Sequence, residues 1–379
     1  MTDTDYRFDP RLARASTLPS RYYLDPARLG EENEKVFART WQLVGHQSQL
    51  ARAGDFLTST IANEPVLVCR GRDGVLRAMS NVCRHRAGPV AAGCGNRSAF
   101  QCGYHGWTWS LEGRLLGTPE FDGVENFDRS SVELPPFRVD TWHGLVFANL
   151  DPGAPSLTEV LGEIVPTLGN RDLSRFRPAA RKVWELECNW KVYVDNYLEG
   201  YHIPIVHPSL FREIDYPAYR TETRRFYSIQ HAPLRKRLPS PRRDLDEAES
   251  AIRGEGSGVR GRPSDPGEIH YFWVFPNLML NVYADNFSTN LIVPDGPGRT
   301  RTLFEWFFEA PESAGASAAI EQTIAFSDEI QLEDIRICEA VQRGLASRTY
   351  DAGRYSVARE NGVHHFHGLL AEYLGLPSA

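Results

Sequence analysis

Hydrophobic and polar positions change rhythm twice along this chain. Between Trp41 and Leu150 the apolar runs are short: "WQLVGH", "EPVLVCR", "LRAMSN", "AFQCGYHGWTWS" and "HGLVFANL", with Gly, Pro, Asn and Asp between them. That spacing predicts a compact antiparallel β unit. Cys69, inside "VLVCRG", reads as a buried strand thiol. "DPGAPS" at 151–156 marks an exit linker, and "LTEVLGEIVPTL" then opens helical periodicity.

From about residue 183 the pattern becomes α+β. "KVWELECNWKVYVDNYLEGYH" runs from a strand into a helix. "IHYFWVFPNLMLNVYADNFSTNLIVP" and "TRTLFEWFFEA" read as strands of one antiparallel sheet. "SAAIEQTIAFSDEIQLEDIRICEAVQRGL" sets Ile330, Ile335, Ile337, Val341 and Leu345 at helical spacing, as one long helix or a broken pair. Residues 235–267 are charged and rich in Gly and Pro, which predicts a mobile surface loop. The G-x-G-x-x-G at Gly256, Gly258 and Gly261 follows no strand, so a dinucleotide site is not inferred from it.

Composition narrows the class. The chain has 379 residues, 41% hydrophobic and 24% charged, the profile of a globular protein with room for two domains. A net charge of −7 argues against a nucleic-acid surface. No apolar run approaches the ~20 residues of a membrane span, and "MTDTDYRFDPRLARA" lacks a secretory apolar segment. Six cysteines do not make a secreted disulfide framework, so reduced thiols in the cytoplasm are expected.

Two of those cysteines carry chemistry. "CRH" places Cys83 beside His85, "CGYH" places Cys102 beside His105, and sixteen residues separate the pairs. Two thiolates and two imidazoles suit a structural zinc or a Rieske [2Fe–2S] cluster. A zinc finger groups its cysteines in one knuckle and its histidines on a helix. Here each loop supplies one of each, as a two-iron cluster requires. The glycines and aromatics of "CGYHGWTW" suit tight turns around sulfide.

A second set follows about a hundred residues later. Asp195, Glu199 and His202 stand at i, i+4 and i+7, which predicts one face of a helix. His207 is about 140° from His202 on an unbroken helix. Pro204 is expected to end that helix and turn His207 back, and Pro208 to stop further helix. Two imidazoles and one carboxylate form the facial triad of non-heme Fe(II) oxygenases. A solvated stripe, or half of a di-iron E-x-x-H site, is the alternative, but the chain holds no second E-x-x-H to complete the latter.

The stretch C-x-H-x16-C-x2-H resembles the Rieske domain of the Rieske-type non-heme iron oxygenases, and "TWQLVGHQSQL" is similar to the opening of that domain. "NWKVYVDNYLEGYHIPIVH" resembles their mononuclear iron motif, and "QLEDIRICEAVQRGL" their late ligand helix. The resemblance covers nearly the whole chain from Trp41. It implies an α+β protein with a small antiparallel β Rieske domain at 41–153. The remainder, 1–40 and 154–379, is implied to be a helix-grip catalytic domain, an antiparallel sheet with a long C-terminal helix. It also implies a mononuclear non-heme Fe(II) held by His202, His207 and Asp334, with Asp328 as fallback. Glu199 takes the place of the acidic bridge, where many relatives carry Asp, and Asp195 joins it as a candidate catalytic group.

The implied assembly is a head-to-tail homotrimer in which His105 of one subunit faces Glu199 and His202 of the next. Electrons are expected from a separate NAD(P)H-dependent reductase, with or without a ferredoxin, because the chain has no flavin, nicotinamide or plant-type ferredoxin fingerprint. No nucleic-acid or membrane partner is expected. The stretch "QLEDIRICEAVQRGLASRTYDAGRYSVARENGVHHFH" is most similar to the choline-, carnitine- and betaine-oxidising branch. The expected reaction is therefore hydroxylation or N-demethylation of a small organic, quaternary ammonium substrate with O2. Aromatic-ring dioxygenation by an α subunit is the alternative, and a Rieske electron carrier without oxygenase activity is the reading from another class. His364, His365 and His367 in "NGVHHFHGLL" read as structural.

Overall fold

The computed structural model describes residues 6–169, 171–235, 268–313 and 316–379. The expected loop at 235–267 therefore lies outside the described residues, apart from Arg235. The chain divides into two compact units, residues 31–174 and residues 1–30 with 175–379. The first unit holds the expected 41–153 segment and extends beyond it at both ends. The Trp41 indole N–H donates to the Pro155 carbonyl at 2.9 Å, which ties the following turn to the β unit. Ser156 and Glu159 then form a reciprocal capping box on the helix Leu157–Leu161. Gly162, at φ 49°, breaks the predicted helical run into two short helices.

Short β runs become short strands in the first unit. Seven described strands pair in the order Gln42–His46, Leu145–Asn149, Pro136–Trp142, Leu76–Ser80, Glu64–Arg70, Asp55–Ile61 and Cys94–Asn96. A second sheet of three, Phe100–Gln101, Thr108–Trp109 and Leu115–Gly117, carries the second Cys/His loop. Between them sits a core of Trp107, Trp109, Phe56, Phe100 and Leu67, to which Cys83 and Cys102 belong. Cys69 is fully buried and its thiol donates to the Leu111 carbonyl.

In the second unit seven described strands form one antiparallel sheet. Its order is Arg177–Leu186, Thr300–Phe308, Asn286–Pro294, Leu278–Val282, Glu268–Val274, Tyr227–Pro233 and Arg220–Thr223. The late apolar pattern is one unbroken helix of 30 residues, Ala316–Leu345, and a second helix of 14 residues, Asn361–Leu374, follows. Trp190, Phe366 and Trp273 pack edge to face where helices meet the sheet. The α+β architecture, with an antiparallel sheet and a long late helix, is the one expected.

Local structure around the histidines differs from the expectation. The helix that starts at Trp190 stops at Tyr197, so Asp195 and His202 do not share its face. Beyond that stop Gly200 packs against Tyr219, where a Cβ would lie 2.5 Å from the nearest ring atom. The chain restarts as a single turn, Ile203–Val206, with His202 as its N-cap. Pro204 sits in the first turn of that helix and Pro208 opens the next, Pro208–Glu213, so both prolines begin helices rather than end them. Their missing N–H groups fall where no intrahelical partner exists. Two consecutive helix starts bring the rings of His202 and His207 to 5.0 Å, the approach expected from a single break at Pro204.

Candidate metal centres

The two Cys/His loops are the same turn built twice. Cys83 N–H donates to Gly88 O, and Ala87 N–H donates back to Cys83 O. Cys102 N–H donates to Trp107 O, and Gly106 N–H donates back to Cys102 O. Ala87 and Gly106 occupy the left-handed region at φ 56° and 73°. Gly88 keeps the loops close, since a Cβ there would lie 2.9 Å from the Cys102 sulfur. The rings of His85 and His105 stand 4.6 Å apart. His85 stacks on Trp107 at 4.9 Å and 10°.

The donor set is graded from inside to outside. Cys83 and Cys102 are buried, His85 is half-buried and His105 is exposed. Burial pushes the Cys83 thiol up, while the His85 backbone N–H pulls the other way. A bound cation reverses that balance and favours the thiolate. Desolvation, then the neighbouring His85 and Arg86, hold the His105 imidazole towards its neutral form, which is the form that ligates. The buried Nδ1 of His85 has no hydrogen-bond partner among the described residues. A buried orphan nitrogen beside two thiols fits a bound cluster.

In the second unit His202, His207 and Asp334 offer ligand atoms that all lie within 4.8 Å of one another. Asp334 Oδ1 is 3.0 Å from His207 Nε2 and 3.9 Å from His202 Nε2. The far nitrogen of each ring is held by a carboxylate: His202 Nδ1 by Glu199 at 2.6 Å, and His207 Nδ1 by Glu333 at 2.7 Å. Carboxylates behind metal-ligating imidazoles fix their tautomer and orientation. Asn196 Nδ2 donates to Asp334 Oδ1 at 2.7 Å, and Glu199 also accepts the backbone N–H groups of Tyr201 and His202. Burial lowers the pKa of His207, but the adjacent Asp334 and Glu333 outweigh it and leave it raised.

Asp328, the fallback ligand, pairs with Lys182 instead. Asp195 is separate from the trio as well. It accepts the Tyr23 hydroxyl at 2.6 Å and pairs with His367 Nε2 at 2.9 Å. His367, from the terminal helix, is tied on its other nitrogen to the Tyr355 hydroxyl. Sequence reasoning missed Glu333 and Asn196. Their signal was adjacency, one beside Asp334 and one beside Asp195.

A cleft of about 730 Å3, counting its open mouth, adjoins the trio. Tyr193, Tyr197, Tyr219, Tyr271 and Tyr283 line it, with Phe304 and Phe326. Desolvation holds all five phenols protonated well past neutral pH.

The fold and the two donor sets define a Rieske-type ring-hydroxylating oxygenase, and the chain belongs to that family. Residues 40–128 match the Rieske [2Fe-2S] domain, and residues 173–376 match the ring hydroxylating alpha subunit catalytic domain. Choline monooxygenase of Arabidopsis thaliana is 36% identical over 97% of this chain and 86% of its own length. The carnitine monooxygenase oxygenase subunit of Escherichia coli K12 is 33% identical over 94% of both. A crystal structure of the quaternary ammonium Rieske monooxygenase CntA superposes with a TM-score of 0.82, at 29% identity, over 97% of each chain. A naphthalene 1,2-dioxygenase structure from Rhodococcus, 21% identical over 94% of each chain with a TM-score of 0.73, shares the fold.

The protein is thus an oxygenase whose cofactors are a Rieske [2Fe–2S] cluster and a mononuclear iron. It takes electrons from a reductase and uses O2 on a small-molecule substrate. A catalytic domain of this extent leaves no place for the electron-carrier reading. Among the described residues no helix is long and apolar enough to cross a membrane.

Proposed function

We propose that this chain is the terminal oxygenase of a quaternary ammonium monooxygenase system, oxidising a carbon attached to a cationic nitrogen. The observation that carries this reading is the tyrosine-walled cleft beside the histidine–aspartate trio. Protonated phenol rings attract a quaternary ammonium through their faces and ask for no hydrogen bond in return. The similarity to choline and carnitine monooxygenases supports the same substrate class. Turnover with choline, carnitine and γ-butyrobetaine, scored as product formed per O2 consumed, tests it. Coupled product from one of these is expected, whereas coupling only with naphthalene would move the protein to ring hydroxylation.

In this reading Cys83 and Cys102 hold one iron of the cluster, and His85 and His105 the other. His202, His207 and Asp334 hold the mononuclear Fe(II). When bound, the two centres supply one-electron transfer and O2 activation beside the substrate. The chain's own residues do the rest. Glu333 and Glu199 keep the imidazoles in the ligating tautomer, and Asn196 aims the Asp334 carboxylate. The aromatic wall excludes water from the carbon beside the cationic nitrogen.

Glu199 has a further role as the bridge between subunits. Its carboxylate touches His202, while neighbouring Tyr201 and Ile205 are exposed, as is His105 on the Rieske unit. A homotrimer that closes head to tail sets His105 of one subunit against Glu199 of the next. One CntA structure is described as revealing inter-subunit electron transfer, which supports this arrangement. The reductase is NAD(P)H-dependent, with or without a ferredoxin, and the system works in the cytoplasm, on neither nucleic acid nor membrane.

A further inference from the structure

One edge of the large sheet carries a second histidine–carboxylate cluster with no part in the oxygenase reading. The strands Arg220–Thr223, Tyr227–Pro233 and Glu268–Val274 are neighbours there. Their register sets His231 opposite Arg220 on one side and opposite His270 on the other. Glu222 and Glu268 are two residues from those partners, so all five side chains share one face. Gln230 and Tyr271 alternate to the opposite face, where they line the tyrosine-walled cleft.

His231 is only 6% exposed, and among the described residues neither of its ring nitrogens has a hydrogen-bond partner. The nearest carboxylate oxygens are off-line: Glu268 Oε1 at 3.4 Å from Nδ1 and Glu222 Oε1 at 3.5 Å from Nε2. A buried imidazole left unserved on both sides calls for an explanation. His270 Nε2 stands 3.2 Å from Glu268 Oε2. One ligand atom each from His231, Glu268 and His270 lies within 4.8 Å of the others, as in the oxygenase trio. The two rings are 5.2 Å apart at 73°, against 5.0 Å and 75° for His202 and His207.

We propose that His231, His270 and Glu268 bind a divalent cation of the zinc class, with Glu222 orienting the His231 ring from behind. Two imidazoles and a carboxylate are a zinc-type donor set, and a carboxylate on the far nitrogen is the usual support for such a ligand. Arg220, 3.3 Å from Glu268 Oε1, is the resident counter-ion of the metal-free state. Its side chain is 52% exposed, so it swings into water when a cation arrives. The ion staples the strand that precedes residues 236–267 to the strand that follows them. Those strands also carry Gln230 and Tyr271, so the staple fixes one wall of the substrate cleft from outside.

The test uses holoprotein with both iron centres loaded. It is incubated with Zn2+, passed through gel filtration, and assayed for zinc, iron and acid-labile sulfide. One retained zinc per chain is expected, with iron and sulfide unchanged and a Tm above that of the zinc-free sample. His270→Gln and His231→Gln lose both the zinc and the Tm gain while keeping iron and sulfide. Glu222→Gln binds zinc about tenfold more weakly, and His202→Ala still retains it. Absence of retained zinc, zinc gained at the expense of iron, or equal retention by His270→Gln would each overturn the proposal. If His231→Gln does not fold, His270→Gln at its half-buried position decides alone.

Discussion

The cluster loops and the iron trio solve one problem, the convergence of several ligands, by opposite means. The loops bring Cys83, His85, Cys102 and His105 together within a single stretch, using one turn geometry twice and a small aromatic core behind it. The trio joins His207 to Asp334 across 127 residues, and needs two helix starts and a thirty-residue helix to do so. The first arrangement is set by local backbone geometry and the second by tertiary packing. The loops should therefore tolerate distant change, and the trio should report it.

Ligand removal separates the two regions most sharply. His207→Ala is expected to lose mononuclear iron and all substrate-dependent O2 consumption while keeping the visible spectrum and acid-labile sulfide of the cluster. Cys102→Ser is expected to do the reverse, losing colour and sulfide but retaining an iron-binding trio. Loss of both metals in both variants would mean that the regions fold as one. Asp328→Asn sharpens the same contrast. It breaks the pair with Lys182 and should leave iron content unchanged.

Bridge and support residues come next. Glu199→Gln should retain both metals but lower coupled turnover on the order of 100-fold, the scale of a misplaced reacting geometry. Unchanged turnover with full occupancy would remove the bridge. Glu333→Gln should weaken iron binding by about ten- to a hundredfold, read by chelator competition, without changing sulfide content.

The fold was legible where one local rule decided it. "EPVLVCR" became the strand Glu64–Arg70, and the apolar spacing of 317–345 became a single helix. The trio was legible through the family resemblance, since no local pattern couples Asp334 to His207. The break in the early helix was misread because two prolines look like stop signals. They were starts; the helix had already ended at Tyr197, and Gly200 beyond it has no room for a Cβ beside the Tyr219 ring. Asp195 was misread for the same cause. Its helical phase with Glu199 and His202 was sound arithmetic on a helix that does not continue. Gly200→Ala tests this directly, and an overpacking cost of about 1–3 kcal/mol is expected in chemical denaturation.

The smallest effect concerns acid stability of the catalytic unit. Burial lowers His365 from 6.5 to about 4. Between those values the unfolded chain binds more protons at this site than the folded one, so stability falls as pH falls through the window. The upper limit is roughly 3 kcal/mol. His365→Gln should flatten the acid limb of a curve of unfolding free energy against pH by that amount or less. A parallel curve would mean that the ring is solvated.

The unbroken run from Ala316 to Leu345 acts as an indexing rod. Gln331 reaches the Tyr193 hydroxyl, Glu333 and Asp334 reach His207, and Gln342 reaches the backbone of Asn189 at the head of the earlier helix. Each residue added to such a rod turns everything beyond it by about 100°. A single-residue insertion just before Gln331 would thus carry Asp334 away from His202 and His207 as surely as deleting it. Four inserted residues would come almost full circle and shift the carboxylate along the axis instead. The spacing of this rod is as much a part of the iron centre as the ligands themselves.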